Sequence, residues 1–149
     1  MADVKQVQMM DLLNNAASGA VVLPDFQRDF VWKTKQIEEL LNSVINNYFI
    51  GSILLLESSV ENLRFAPRLI RGVDQNITGA QKPITLKYVL DGQQRVTSLF
   101  YSFFEPNVAL SDETGAVCKF YIRPDTMDVF GLKDPEDIAR RLRLSADIK

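Results

Sequence analysis

Between residues 86 and 104 a strand-like segment runs directly into a helix-like one, and this junction constrains the fold more than any other part of the sequence. Residues 86–90 (LKYVL) are short and apolar, as a strand is. Asp91-Gly92 follows, and apolar residues then recur at helical spacing, at Val96, Leu99, Phe100, Phe103 and Phe104. A strand that turns at once into a helix is typical of α/β and α+β domains.

The other periodic segments complete a predicted fold of class α/β (α+β), with three or four helices and a small mixed sheet. Helices are predicted over residues 4–17, from Thr34 (as the capping residue) to Asn46-Asn47, and over residues 134–149. Residues 20–23 are predicted as an edge strand and residues 52–57 as a buried strand. Further strands are predicted over residues 117–123 and, partly exposed, over residues 65–71.

Histidine is absent from the 149 residues, and Cys118 is the only cysteine. The chain therefore cannot build a Ser-His-Asp or Cys-His catalytic set, a His-ligated zinc site or a His-metal nuclease site. A single cysteine forms no internal disulfide, which fits a reducing compartment. The length suits one domain over residues 1–149. Any catalysis must then use carboxylates, amides, hydroxyls, Arg and Lys, with or without a bound ion.

Charge is distributed unevenly along the chain, although its net value is only −2. Residues 64–95 hold six basic side chains against two acidic ones, and the basic ones are Arg64, Arg68, Arg71, Lys82, Lys87 and Arg95. Such a segment can line an anion-binding surface or be a solvated loop with scattered charge. No apolar run approaches the roughly 20 residues of a membrane helix, and no signal peptide is visible. The chain is therefore predicted to be cytoplasmic, with no membrane partner.

The turn from Asp91 to Arg95 (DGQQR) combines residue types that bind phosphate. Gly92 permits a tight turn and a close approach of ligand to backbone. The free N–H groups at the start of the following helix and the helix dipole favour an anion. Arg95 can add a bidentate phosphate contact, and Asp91 can hold a hydrated Mg²⁺ or accept a proton.

Simpler roles are open for the same five residues. Asp91 as helix cap, with Gln94 three residues later, makes a pair that resembles a capping box. In that interpretation Gly92 only forms the turn, and Gln93, Gln94 and Arg95 lie in water. In the functional interpretation the two glutamines orient a water or a phosphate oxygen.

The loop over residues 24–32 (PDFQRDFVW) is the second place where chemistry can occur. Gln27 and Arg28 are polar residues among three aromatic ones. They can reach the same site as Arg95, with an aromatic wall against which a base stacks. Alternatively, the aromatic rings fill the core and Arg28 pairs with Asp25 or Asp29.

Three motifs in this order resemble a known family. They are LPDFQRDFVW (residues 23–32), IEELLNSVINNYFIG (residues 37–51) and YVLDGQQRVTSL (residues 88–99). Together they match the patterns P-x-[FY]-Q-R-x-[FY]-x-W, I-G and D-G-Q-Q-R. The chain resembles the N-terminal domain of GmrSD-type restriction endonucleases, placed in the ParB/sulfiredoxin-like superfamily, over residues 21–104.

The resemblance implies a compact ParB/sulfiredoxin-like domain that binds and hydrolyses a nucleoside triphosphate, with Mg²⁺, and so regulates DNA restriction in phage defence. It implies catalytic or metal-orienting roles for Asp91, Gln93 and Gln94. It implies nucleotide-binding roles for Gly92, Arg95, Gln27 and Arg28.

In that family, members that cut DNA carry a histidine-metal nuclease module in a separate C-terminal domain. The resemblance therefore implies a nuclease domain or subunit as partner and contact with DNA through a full-length protein. We expect these 149 residues to be the regulatory part of a longer protein. Two alternatives remain at this point. The chain can be a non-hydrolysing module that senses modified DNA through residues 64–87, or a scaffold whose loop over residues 26–32 anchors a partner domain.

Overall fold

A four-stranded mixed sheet, a two-stranded sheet and three α-helices make up the part of the chain that the computed structural model describes, residues 3–74, 83–110 and 115–132. The predicted α+β class with a small mixed sheet is confirmed. The predicted helix over residues 134–149 lies outside the described residues. The chain divides into two units, residues 1–30 with 51–106 and residues 31–50 with 107–149.

The first unit contains the four-stranded sheet. Its strands are β1 (Val21–Pro24), β2 (Leu54–Ser59), β3 (Pro67–Arg68) and β4 (Thr85–Asp91), in the spatial order β2-β4-β1-β3. β1 runs parallel to β4, and the β2–β4 and β1–β3 pairs are antiparallel. A parallel pair cannot be joined by a tight hairpin. The long connection from β1 to β4 meets that requirement.

Side chains along these strands alternate between the two faces of the sheet, and those on one face form a hydrophobic core. Val22, Leu86 and Tyr88 are buried together on one face, and residues 56, 65, 69 and 90 pack against them. The prediction that β1 is an edge strand is wrong, because β3 pairs with its outer side over two residues. The strand predicted over residues 52–57 is present as β2, but the prediction that it is buried is wrong. β2 is itself an edge strand, and Leu54 is 50% exposed.

Two helices belong to the same unit, α1 (Met9–Ala17) and α3 (Gln93–Phe104). α1 packs against β1 and α3 through a face that buries Leu12, Leu13 and Ala16. The predicted start of α1 at residue 4 is wrong by five residues, since that part of the chain is exposed and not helical. Among the helices of the described residues, none combines the length and apolarity that a membrane span requires.

The second unit contains α2 (Thr34–Ile45) and a hairpin of β5 (Lys119–Ile122) and β6 (Val129–Leu132). The apolar spacing of α2 predicted this helix correctly, and Ile37, Leu40 and Leu41 are buried. The predicted cap at Thr34 is wrong, because α2 already includes this residue. The helix start is closed instead by the Gln36 side chain, whose Oε1 accepts the Lys33 N–H at 3.0 Å.

The polar side of α2 covers the free edge of β6, a strand that the sequence analysis did not predict. Asn42 Oδ1 accepts the Val129 N–H at 2.9 Å, and Glu38 Oε1 accepts the Gly131 N–H at 2.7 Å. Four residues of helix rise about 6 Å, and two residues of strand rise about 6.7 Å. The two spacings match, so one helix face satisfies alternate N–H groups of the strand.

Removal of one of these acceptors is expected to destabilise the fold. Asn42→Ala leaves the N–H of Val129 without its acceptor, and Val129 is 6% exposed. We expect the free energy of unfolding to fall by about 1–3 kcal/mol, the cost of an unsatisfied buried donor. Urea denaturation measures it. Glu39→Ala, on the exposed side of the same helix, is the matched control. Equal losses in the two variants would contradict the assigned role.

Candidate functional site

The two motifs singled out in the sequence meet because β1 and β4 are parallel neighbours. Their carboxyl ends therefore lie at the same edge of the sheet, which is where ligand sites form in sheets of this kind. β1 ends at Pro24 and β4 ends at Asp91. The loop over residues 25–30 and the turn over residues 91–95 both start from this edge.

The turn differs from its prediction at the helix start. Gly92 is the capping residue of α3, with a left-handed φ of +89°, and no side chain caps the helix. The predicted capping box between Asp91 and Gln94 is therefore wrong. β4 extends through Asp91, which pairs with Leu54, so the cap position falls one residue later. The Asp91 side chain is 72% exposed.

The two glutamines of the turn are buried, at 6% and 7% exposure, and their side-chain amides bind the neighbouring loop. Gln93 Nε2 donates to the carbonyl oxygen of Arg28 at 2.5 Å. Gln94 Nε2 donates to the carbonyl oxygen of Asp29 at 3.1 Å. The interpretation in which both side chains lie in water is wrong, since tertiary structure, not the helix start, determines where they point.

The loop binds the turn in return. Gln27 Nε2 donates to the carbonyl oxygen of Leu90 at 2.8 Å, one residue before the turn. Gln27 from the loop and Gln93 and Gln94 from the turn thus fix each other's backbone through three hydrogen bonds. We call this arrangement the amide clamp. Sequence reasoning expected these residues at one site but did not predict that they would bind one another.

Arg68 on β3 completes the clamp, and sequence reasoning missed its role. Its Nη2 donates to the carbonyl oxygens of Gln27 at 2.7 Å and Arg28 at 3.1 Å. Its Nη1 lies 2.5 Å from Asp29 Oδ1. The sequence showed Arg68 only as one member of a basic segment. No local signal distinguishes it, because its partners lie 39 to 41 residues earlier in the chain.

The side chain of Arg28 is exposed, and its guanidinium contacts neither predicted acidic partner. The interpretation in which Arg28 pairs with Asp25 or Asp29 is wrong, since Asp29 pairs with Arg68. The Arg28 carbonyl is held by Gln93, while its guanidinium is directed to solvent. An arginine with a fixed backbone and a solvent-facing guanidinium is available to an anionic ligand.

Arg95 lies in the first turn of α3, with its side chain only 19% exposed. Its Nη2 is 3.4 Å from Asp91 Oδ2, and this exposed partner makes the ion pair a weak one. The guanidinium fits against two glycines. A Cβ on Gly51 would overlap it, and a Cβ on Gly92 would lie 3.4 Å from Nη2. The I-G pair of the sequence thereby acquires a physical role, since Gly51 leaves the space that Arg95 occupies.

Alanine at position 51 is expected to displace the Arg95 guanidinium. Gly51 has φ +90°, where an L-residue is strained, and its added Cβ would overlap the guanidinium. We expect Gly51→Ala to lower the free energy of unfolding by about 1–3 kcal/mol. The loss should be smaller in an Arg95→Ala background, because the overlap is then gone and only backbone strain remains. Chemical denaturation of the wild type, the two single variants and the double variant measures the coupling between positions 51 and 95. Strictly additive losses in the free energy of unfolding would contradict it.

Aromatic rings extend from the sheet to the loop. Tyr88 is fully buried, and its hydroxyl donates to the carbonyl oxygen of Phe65 at 2.6 Å. Burial raises the pKa of this hydroxyl above its ordinary value, and the charge of Asp25 raises the pKa further. The prediction that the loop aromatics fill the core holds for Phe30, at 9% exposure, but not for Phe26, at 62%.

The residues at this sheet edge thus include an exposed carboxylate, Asp91, its ion-pair partner Arg95, and the exposed Arg28 of the loop. Within the described ranges, no cluster of three or more Cys, Asp or Glu side chains is arranged to hold a metal ion. Mg²⁺ in phosphate-handling sites commonly uses one or two carboxylates and takes its other ligands from the phosphates and water. The exposed carboxylate of Asp91 meets that requirement.

Comparison with known protein families identifies the family of this chain. The model for the N-terminal domain of GmrSD restriction endonucleases matches residues 9–145, which include the loop, the turn and Gly51. The chain belongs to this family.

A relative in Methanocaldococcus jannaschii, described as an uncharacterised protein, is 49% identical to this GmrSD N-terminal domain over 109 residues. The alignment covers 71% of the chain but only 18% of that relative. The chain therefore spans less than a fifth of the length of the curated relative that it matches.

Proposed function

We propose that this GmrSD N-terminal domain binds a nucleoside triphosphate together with Mg²⁺, hydrolyses it, and thereby regulates DNA cleavage by a nuclease domain or subunit. The observation that carries the proposal is the amide clamp. It fixes the loop to the turn and so keeps Arg28 at the sheet edge where Asp91 and Arg95 lie.

The phosphates would bind at the start of α3. The helix dipole at this end favours an anion by roughly 0.3–1 kcal/mol. Arg95 and Arg28 supply guanidinium contacts from the two sides of the site. Mg²⁺, when bound, would neutralise charge on the phosphates.

Among the three residues expected to be catalytic, Asp91 is the one with an exposed reactive group. Its carboxylate would hold the metal or accept a proton from an attacking water. Gln93 and Gln94 use their amide nitrogens on loop carbonyls, so we assign them the positioning of the loop. Gln27, from the loop motif, binds the Leu90 carbonyl and so positions the turn.

The proposal places the chemistry of DNA cleavage elsewhere. Histidine is absent from the chain, so a histidine-metal nuclease has to be supplied by another domain or subunit. DNA would then be contacted through the full-length protein, in the cytoplasm. The nucleotide state of this domain would control when cleavage occurs.

The proposal is tested by adding ATP, GTP and CTP, each with Mg²⁺, to the chain. Thermal unfolding and phosphate release are followed together. We expect at least one nucleotide to raise the unfolding temperature, because a ligand at 100 times its Kd stabilises the native state by about 2.7 kcal/mol. EDTA should stop phosphate release. If no nucleotide changes either signal, the proposal fails for this chain.

The alternative of a DNA-sensing basic surface is less well supported. Of the five described basic side chains in residues 64–95, at least three have acidic partners. Those pairs are Arg68 with Asp29, Lys87 with Glu57 and Arg95 with Asp91. DNA binding that weakens with salt and survives Asp91→Asn would favour this alternative.

A further inference from the structure

Phe26 lies on the loop of the candidate site, where its ring packs against a second ring while most of the residue is exposed to solvent. Phe26 is 62% exposed, and its ring meets Phe65 edge-to-face, with centroids 5.0 Å apart and planes at 79°. Phe65 meets the buried Tyr88 in the same way, at 5.7 Å and 85°. The ring is thus supported from the sheet, while a large part of its surface faces solvent.

The backbone on both sides of the ring is held as well. The N–H of Asp25 donates to the carbonyl oxygen of Ala66 at 3.1 Å, and the N–H of Gln27 donates to that of Pro24 at 3.1 Å. The Gln27 side chain adds its bond to Leu90, the residue that precedes the turn. The backbone on both sides of Phe26 is therefore fixed to neighbouring segments of the same unit.

Fixed aromatic surfaces beside a phosphate site bind bases by stacking, because every nucleobase has a flat π-face. We propose that Phe26 is the stacking platform for the base of the bound nucleotide and so lets the site distinguish a nucleotide from bare polyphosphate. This inference rests on the proposed function and extends it. The phosphates would lie on the turn and the base on the loop, so the amide clamp would set the distance between the two.

The test compares Mg²⁺-nucleotides with inorganic tripolyphosphate as ligands for the wild-type chain and for Phe26→Ala. ATP, GTP and CTP serve as the nucleotides. We expect Phe26→Ala to lose about five- to a hundredfold in affinity for the nucleotide that binds, the usual range for one stacked base. Affinity for tripolyphosphate should be unchanged. Phe26→Tyr, which keeps a flat ring, should restore nucleotide affinity.

Phe49→Ala is the matched control, since Phe49 is 89% exposed and lies outside the unit that contains the site. It should bind both ligands as the wild type does. Unchanged nucleotide affinity in Phe26→Ala, or an equal loss for nucleotide and tripolyphosphate, would overturn the stacking role while leaving the proposed function intact. If the wild-type chain binds neither ligand, the proposed function itself fails and the stacking role fails with it.

Discussion

Arg95→Ala is expected to weaken nucleotide binding by about ten- to a hundredfold. Hydrogen bonds to charged groups are worth roughly 1.5–3 kcal/mol, and the guanidinium at the start of α3 would supply such bonds to a phosphate. The fold should tolerate the change. The Asp91–Arg95 pair is exposed on its acidic side, so the loss of this ion pair should itself cost less than about 1 kcal/mol of stability. Isothermal titration with the nucleotide measures affinity, and denaturation measures stability.

Arg64→Ala is the control for this variant. Arg64 belongs to the same unit and is exposed. It should bind the nucleotide as the wild type does and at the same salt dependence. Equal losses in the Arg64 and Arg95 variants would show a diffuse charge effect and no site at the turn.

The second large effect is expected at Arg68. Arg68→Leu leaves the Gln27 carbonyl without its guanidinium donor and the Arg28 carbonyl with Gln93 alone. We expect the free energy of unfolding to fall by about 2–4 kcal/mol, because two charge-assisted hydrogen bonds are lost at a partly buried position. Nucleotide affinity should fall as well, since the loop that carries Arg28 is then less constrained.

Asp29→Asn separates the ion pair from the carbonyl bonds. The Asp29 side chain is 82% exposed, so its pairing with Arg68 should contribute less than about 1 kcal/mol. Asn at this position should therefore behave almost as wild type in denaturation and in nucleotide titration. If Asp29→Asn and Arg68→Leu lower the free energy of unfolding equally, the hydrogen bonds from Arg68 to the loop carbonyls contribute nothing. The amide clamp then does not depend on Arg68.

The sequence predicted those parts of the fold whose signal is local. The passage of β4 into α3 at Gly92 follows from a short apolar run, a glycine and a helical spacing of apolar residues. The spacing in α2 is equally local, and it predicted a helix that the structure confirms. Both predictions needed only neighbouring residues.

Elements that depend on distant partners were not predictable in this way. β6 is four residues long, contains Gly131, and meets its partners on α2 across 87 and 93 residues of sequence. Gln94 fits a helix cap by spacing, but its amide binds a carbonyl 65 residues earlier. Arg68 forms its bonds across about 40 residues. Residue type alone cannot choose among partners so far apart.

For the candidate site, the sequence predicted that the two segments lie at one location, and the structure brings them together. The sequence placed Gln27, Gln93 and Gln94 at one location, and the structure shows that they bind each other's segments. The parallel pairing of β1 with β4 is what unites them, and pairing between strands about 65 residues apart is not written in either segment.

The cover that α2 places on β6 has a consequence for how the chain behaves in concentrated solution. A strand edge with free N–H groups is a template on which a second molecule can add a strand. Side-chain oxygens of Glu38 and Asn42 accept hydrogen bonds from two N–H groups of β6. The helix thus supplies acceptors that a third strand would otherwise supply. Polar residues on this helix face therefore oppose self-association of the protein. Their loss would expose an unpaired strand edge and would also weaken the local contact between helix and strand.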